Sequence, residues 1–168
     1  MLFIDNILKP IFNNIDNHPY RNAFFILEKY YTYKDLGVEI NKIRLHLKSI
    51  KNKNKFFGLV TNDDLQTYAT IIALWSEGKA FVPINPKNPH KRNIKIINQI
   101  NLFHVFDTNS ESLYKNLKVI NPHKLEYNNN IVNEIFLSEK NNDELLTYIL
   151  FTSGSTGEPK GVKISRKN

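Results

Sequence analysis

The residues of this sequence best suited to chemistry lie in one run, Thr152-Ser153-Gly154-Ser155-Thr156-Gly157-Glu158-Pro159-Lys160-Gly161. A bound polyphosphate needs backbone N–H groups converging on it. Glycine reaches the positive-φ or close-approach positions that this requires at little steric cost, and Gly154, Gly157 and Gly161 are spaced to supply them. The hydroxyls of Thr152, Ser153, Ser155 and Thr156 can donate to phosphate oxygens, and Lys160 adds a point charge on a flexible stem. Pro159 stiffens the exit. Thr152, Ser153, Gly154, Ser155, Thr156, Gly157 and Lys160 are therefore the candidate phosphate-binding residues, with Lys160 foremost.

The flanks say what must hold this loop. Tyr148-Ile149-Leu150-Phe151 is a short apolar run of high β-propensity, and beyond the loop Val162 and Ile164 alternate with Lys163 and Ser165 at strand period. The expected unit is strand, glycine-rich turn, strand. A Walker-type loop needs G-x-x-x-x-G-K-[ST] followed by a helix, and a dinucleotide fold needs G-x-G-x-x-G; neither spacing occurs in this run. A solvated hairpin turn is the ordinary explanation for a Ser/Gly/Thr-rich stretch. Here the Pro-Lys-Gly ending at a fixed distance and the strands on both sides argue against it.

Other reactive constellations are weaker. His18, His46, His90, His104 and His123 show no metal-ligand spacing and read as surface or packing residues. Asp63-Asp64 precedes an apolar-periodic segment, which suits a helix cap better than a carboxylate pair for acid/base work. No metal site and no catalytic residue is assigned.

With 168 residues, 41% hydrophobic and 12% aromatic, the chain can bury a single-domain core and does not have a disordered composition. The absence of cysteine removes disulfide frameworks and thiolate metal sites. Asp5 and Lys9 interrupt any signal-like apolar stretch, and the longest apolar run, Ala69 to Trp75, is too short to span a bilayer. A cytoplasmic protein without membrane partners is expected. The net charge of +7 raises nucleic-acid binding, but the lysines are scattered and no nucleic-acid module accompanies them.

Thr32-Tyr33-Lys34-Asp35 has the form of a capping box and Leu36, Ile40, Ile43 and Leu47 follow at helical spacing, which predicts a helix over 33–49. Phe56–Val60 reads as a buried strand. A helix follows from about Leu65 to Trp75, with Asn62-Asp63-Asp64 as cap candidates and Gly78 at its end. Ala80–Ile84 reads as a strand, Asn85–Pro89 as a turn, and Pro89 as the first residue of a helix burying Ile94, Ile97 and Ile100. Phe103–Phe106 is a further strand, and Asn109-Ser110 a candidate start for a short helix before Leu117–Ile120. Ile4 to Ile15 has helical spacing that Pro10 should kink or break. The Asn-rich stretch from Asn121 to Asn142 reads as loop with one strand over 131–137. Alternating strands and helices give a layered α/β domain, with a mostly parallel sheet and flanking helices.

Tyr148 to Val162 resembles, without a gap, the phosphate-loop signature of the adenylate-forming (AMP-binding) enzymes. These include acyl-CoA synthetases, luciferases and the adenylation domains of nonribosomal peptide synthesis. Leu74 to Pro86 resembles the second core motif of that superfamily, and Tyr31 to Leu36 the start of its first long helix. Three positions depart from the usual pattern. Lys79 stands where glycine is common, Asn85 where amino-acid-activating members often have aspartate, and Arg166 where histidine is frequent; contacts that relatives make through that histidine are not carried over.

The resemblance implies that residues 1–168 are a partial AMP-binding (adenylation) domain, the N-terminal part of the family's large domain, ending just after the phosphate loop. It implies an ATP-dependent carboxylate-activating ligase, forming an acyl- or aminoacyl-adenylate and pyrophosphate before thioester transfer. ATP with Mg²⁺, a carboxylic or amino acid, and a carrier protein or CoA are the implied cofactors and partners. The magnesium ligand, adenine and ribose contacts, acyl pocket, hinge and mobile-domain lysine of such enzymes come from segments beyond the loop. The chain is thus expected to be incomplete and inactive alone. The alternative is a non-catalytic remnant or interaction module that retains the loop. Amino-acid-activating members, including those that charge D-alanine onto a carrier protein, are the most similar branch.

Overall fold

A computed structural model describes residues 3–50, 55–127, 144–153 and 158–167. The strand expected over 131–137 lies outside the described residues. A π-helical turn, Ile4–Leu8, leads into α1, Lys9–Asn17. Pro10 is the second residue of α1, directly after the π-helical turn, and the chain stays helical across it, so the expected kink or break takes the form of a change of helical pitch. The change of helical pitch sits just before it.

β1, Asn22–Ile26, and β2, Lys29–Thr32, form a separate antiparallel hairpin. The sequence gives no turn signal for it, because the two connecting residues, Leu27-Glu28, include no glycine or asparagine. Both nevertheless adopt positive φ, 48° and 63°. That is the backbone of a tight primed turn, made here by residues for which it carries a steric cost.

α2, Tyr33–Ser49, begins where the capping box placed it: Asp35 N–H donates to Thr32 Oγ1 at 3.2 Å, and Thr32 N–H donates to Asp35 Oδ2 at 2.8 Å. β3, Phe56–Val60, runs into α3, Leu65–Ser76, whose N-cap is Asp64, accepting from Thr67 N–H at 2.7 Å. α3 ends in a Schellman arrangement. Gly78 N–H donates to Trp75 O and Lys79 N–H to Leu74 O, with Gly78 at φ 64°. Lys79 serves this cap through its backbone, which explains why a side chain is accepted where glycine is common.

β4, Ala80–Ile84, is followed by α4, His90–Gln99. Pro89 is the cap rather than the first helical residue, and α4 buries Asn93, Ile96 and the expected Ile97, while Ile94 and Ile100 pack half-buried against the same cluster. β5, His104–Phe106, and β6, Lys118–Ile120, follow. No helix forms between them. Asp107 Oδ1 accepts from Asn109 N–H at 3.1 Å and Ser112 Oγ from Tyr114 N–H at 3.1 Å; such short side-chain turns compete with helical hydrogen bonding. A 3-10 turn spans Pro122–Lys124.

β7, Leu146–Ser153, and β8, Pro159–Ser165, complete a six-stranded sheet in the order β6-β5-β3-β4-β7-β8. All pairs are parallel except β7 with β8. Alternation along β3 divides the core: Phe57 and Leu59 face α2 and α3, whereas Val60 joins the cluster containing Val82, Ile84 and Val105 with Ile96 and Ile97 of α4. Helices therefore cover both faces of the sheet, the layered α/β arrangement expected. Arg44 of α2 is buried among them and donates through Nε to Glu77 Oε1 at 2.7 Å, tying α2 to the end of α3.

Candidate phosphate-binding hairpin

β7 runs parallel to β4, so its C-terminal end opens at the edge of the sheet where β3, β4 and β5 also end. In open parallel sheets this edge is where ligands bind. The β7–β8 register sets Phe151 opposite Gly161, Thr152 opposite Lys160, and Ser153 opposite Pro159. Thr152 and Lys160 are both exposed and face each other across the mouth, with Thr152 Oγ1 3.4 Å from Lys160 O. Gly154, Ser155, Thr156 and Gly157, with the side chain of Ser153, lie outside the described residues.

Gly161 has a different role from the one expected. It lies inside β8, and a Cβ there would meet Phe151 Cζ at 3.0 Å and Ile149 Cγ2 at 3.3 Å. Its bare Cα accepts the ring of its cross-strand partner. Glu158, at the start of the return strand, pairs with Lys95 of α4, Oε1 to Nζ 2.6 Å.

The base of the hairpin is fastened to α3. Trp75 Nε1–H donates to Thr147 O at 3.0 Å, and Thr147 Oγ1–H donates to Ile164 O at 3.0 Å. Arg166 N–H donates to Leu145 O at 2.9 Å while its guanidinium donates from Nη2 to Trp75 O. Arg166 is buried, its cation 5.3 Å from the Phe3 ring centroid, and burial lowers the pKa of its guanidinium. A cation at the carbonyl end of α3 also suits the helix dipole. The position where histidine is frequent in relatives is here a structural clamp. Its side-chain role was not legible, because Trp75 and Arg166 are 91 positions apart.

A second polar group lines the same sheet edge. Asp64 Oδ2 accepts from Thr108 Oγ1–H, and Asn62 Nδ2–H donates to Thr108 Oγ1 at 2.6 Å. These contacts join the segments after β3 and β5. Asp63 accepts from the Tyr68 hydroxyl at 3.0 Å, and that hydrogen bond, with burial and the two aspartates, raises the Tyr68 pKa. Asp63 and Asp64 are thus engaged in capping and bracing, as expected. Asn85 Oδ1 accepts from Lys87 N–H at 2.9 Å and holds the turn after β4, a task an aspartate oxygen could also perform. The buried Asn93 amide donates to Asn85 O at 2.9 Å and to Tyr114 Oη at 3.0 Å. Among the described residues, no three His, Cys, Asp or Glu side chains converge as a metal site. No helix among them is long and apolar enough to cross a membrane.

The AMP-binding enzyme family profile matches residues 11–168. The ferrichrome siderophore peptide synthetase of Mycosarcoma maydis is 33% identical over 142 residues, 81% of this chain and 3% of that protein. Gramicidin S synthase 2 of Brevibacillus brevis is 28% identical over 160 residues, 92% of this chain and 3% of that protein. The chain thus spans a few per cent of the length of these relatives. Among solved structures, the Klebsiella oxytoca NpsA N-terminal subdomain in complex with 3-hydroxyanthranilyl-AMSN superposes with a TM-score of 0.77 at 19% identity, over 96% of this chain and 40% of that one. A four-domain nonribosomal peptide synthetase bound to AMP and glycine gives 0.77 at 20% identity, over 95% of this chain and 12% of that one. The fold, the hairpin and the profile spanning both agree: the chain belongs to the AMP-binding enzyme family.

Proposed function

We propose that this chain is the phosphate-holding part of a ligase that activates a carboxylic acid, and specifically an amino acid, with ATP. One observation carries the reading: the antiparallel register pairs Thr152 with Lys160 at the carboxyl edge of a parallel sheet, and the sequence between them is rich in hydroxyls and glycine. In the proposed reaction a carboxylate oxygen attacks the α-phosphorus of ATP, the bond to the bridging oxygen breaks, and acyl-adenylate and pyrophosphate form. Thr152, Ser153, Gly154, Ser155, Thr156, Gly157 and Lys160 would bind the β- and γ-phosphates. Hydroxyls, N–H groups and the ammonium would stabilise the charge gathering on departing pyrophosphate and align the displacement. The ATP would enter with Mg²⁺, for which the family resemblance implies a ligand from a segment beyond the loop.

The peptide synthetases among the relatives, and the carrier-protein domain of a structurally similar adenylation protein, support an amino-acid substrate and a carrier-bound thiol as acceptor. The test is amino-acid-dependent exchange of pyrophosphate into ATP by the polypeptide that carries this segment together with the rest of an adenylation domain. Exchange supported by at least one amino acid and lost in Lys160→Ala is expected. Exchange with no amino or other carboxylic acid would refute the activity.

A second reading, a non-catalytic interaction module keeping the loop, draws on Leu150 and Val162. They are cross-strand partners, 46% and 47% exposed, and form an apolar pair that further chain or a partner would cover.

A further inference from the structure

At the sheet edge farthest from the β7–β8 hairpin, a groove opens between the last turn of α2 and strands β5 and β6. Its larger chamber, about 720 Å³, is lined by His46 and Ser49 of α2, His104 of β5, Lys118 of β6 and the apolar Phe103 and Val119. A smaller chamber of about 340 Å³ adjoins it through His46 and Val119, and adds Ser110, Asn121 and Lys124. The larger volume lies in the range of small-molecule sites.

The charge of the lining has one sign. The cationic or protonatable groups come from each element that borders the space: His46 from α2, His104 from β5, Lys118 from β6, and Lys124 from the 3-10 turn. Among the described lining residues there is no Asp or Glu. Burial lowers the pKa of His46, and burial, then the Lys118 charge, then His46 lower that of His104. Burial disfavours the charged forms of these imidazoles, a cost that an entering anion would offset. Lys118 is held over the exposed Phe103 ring, Nζ 5.2 Å from the centroid, and the His104 ring meets Phe103 edge-on at 4.9 Å. The Lys118 ammonium and the His104 imidazole are thus both set beside the Phe103 ring.

We propose that this groove binds an organic phosphate, its oxyanion among His46, His104 and Lys118 and its planar body against Phe103. It is separate from the phosphate hairpin, lying at the opposite edge of the same sheet. The experiment titrates the chain with 1-naphthyl phosphate while following the imidazole resonances of His46 and His104 by NMR. Saturable shifts of both are expected, with both histidines titrating at higher pH when the ligand is bound. The same concentration of 1-naphthol should leave them unmoved. Lys118 is exposed on an edge strand, so Lys118→Gln keeps the fold while weakening binding about 10-fold or more, the scale of a lost charged hydrogen bond. Unmoved resonances, equal shifts with 1-naphthol, or undiminished affinity in Lys118→Gln would overturn the proposal.

Discussion

At the residue scale, Gly161 is constrained by packing. Gly161→Ala places a methyl group 3.0 Å from the Phe151 ring, inside ordinary contact, and the ring must move. A loss of about 1–3 kcal/mol is expected, read as a lower denaturation midpoint with an unchanged m-value. An unchanged midpoint would show that the ring relocates freely. Arg44 presents the converse case, a charge buried at 1% exposure and paired with Glu77. Glu77→Ala removes the carboxylate and should cost about 3–5 kcal/mol, measurable by urea unfolding; a cost below about 1 kcal/mol would mean that Arg44's other contacts suffice. Leu27 and Glu28 carry positive φ without the side chains that favour it. Replacing the pair by Asn-Gly should stabilise the hairpin by about 1–2 kcal/mol, visible as a raised Tm.

At the element scale, the hairpin depends on a clamp at its base. Trp75→Phe removes the indole donor to Thr147 O, and Arg166→Lys loses the planar fork that reaches Trp75 O. Both should speed amide hydrogen exchange along β7 before that of β3, which β4 separates from β7 in the sheet. Uniform acceleration would instead report global destabilisation. Which elements the sequence revealed follows from how local their causes are. The capping box fixed the start of α2, Asp64 and Gly78 bracketed α3, a short apolar run placed β7, and alternating residues placed β8. The β1–β2 hairpin escaped because its turn lacks the usual residues, and the stretch after Asn109 favoured side-chain turns over a helix. The clamp, and Gly161's service to Phe151, depend on tertiary neighbours that no local pattern encodes. The two strands that flank the candidate loop were legible because their apolar residues are consecutive or alternate within a few positions of it.

At the scale of the whole molecule, the sheet separates two regions. The hairpin opens at one edge, and His46 and His104 lie at the other. Both histidines have pKa values lowered by burial, so the folded chain binds fewer protons than the unfolded chain below the usual histidine value of about 6.5. Stability should therefore be undiminished by these groups above that pH and fall as pH drops through it toward the lowered folded values. Urea midpoints across this window should show the decline, and His104→Asn should flatten it; an identical slope in the variant would assign the decline elsewhere. The central claim concerns the other edge, that the hairpin holds the phosphates of ATP. Isothermal titration with ATP of the polypeptide that carries this segment together with the rest of an adenylation domain, against its Lys160→Ala variant, tests it most directly. Saturable binding weakened about 10- to 100-fold by loss of the ammonium is the predicted result. Equal ATP affinity in the variant, or no binding by the parent chain, would contradict it.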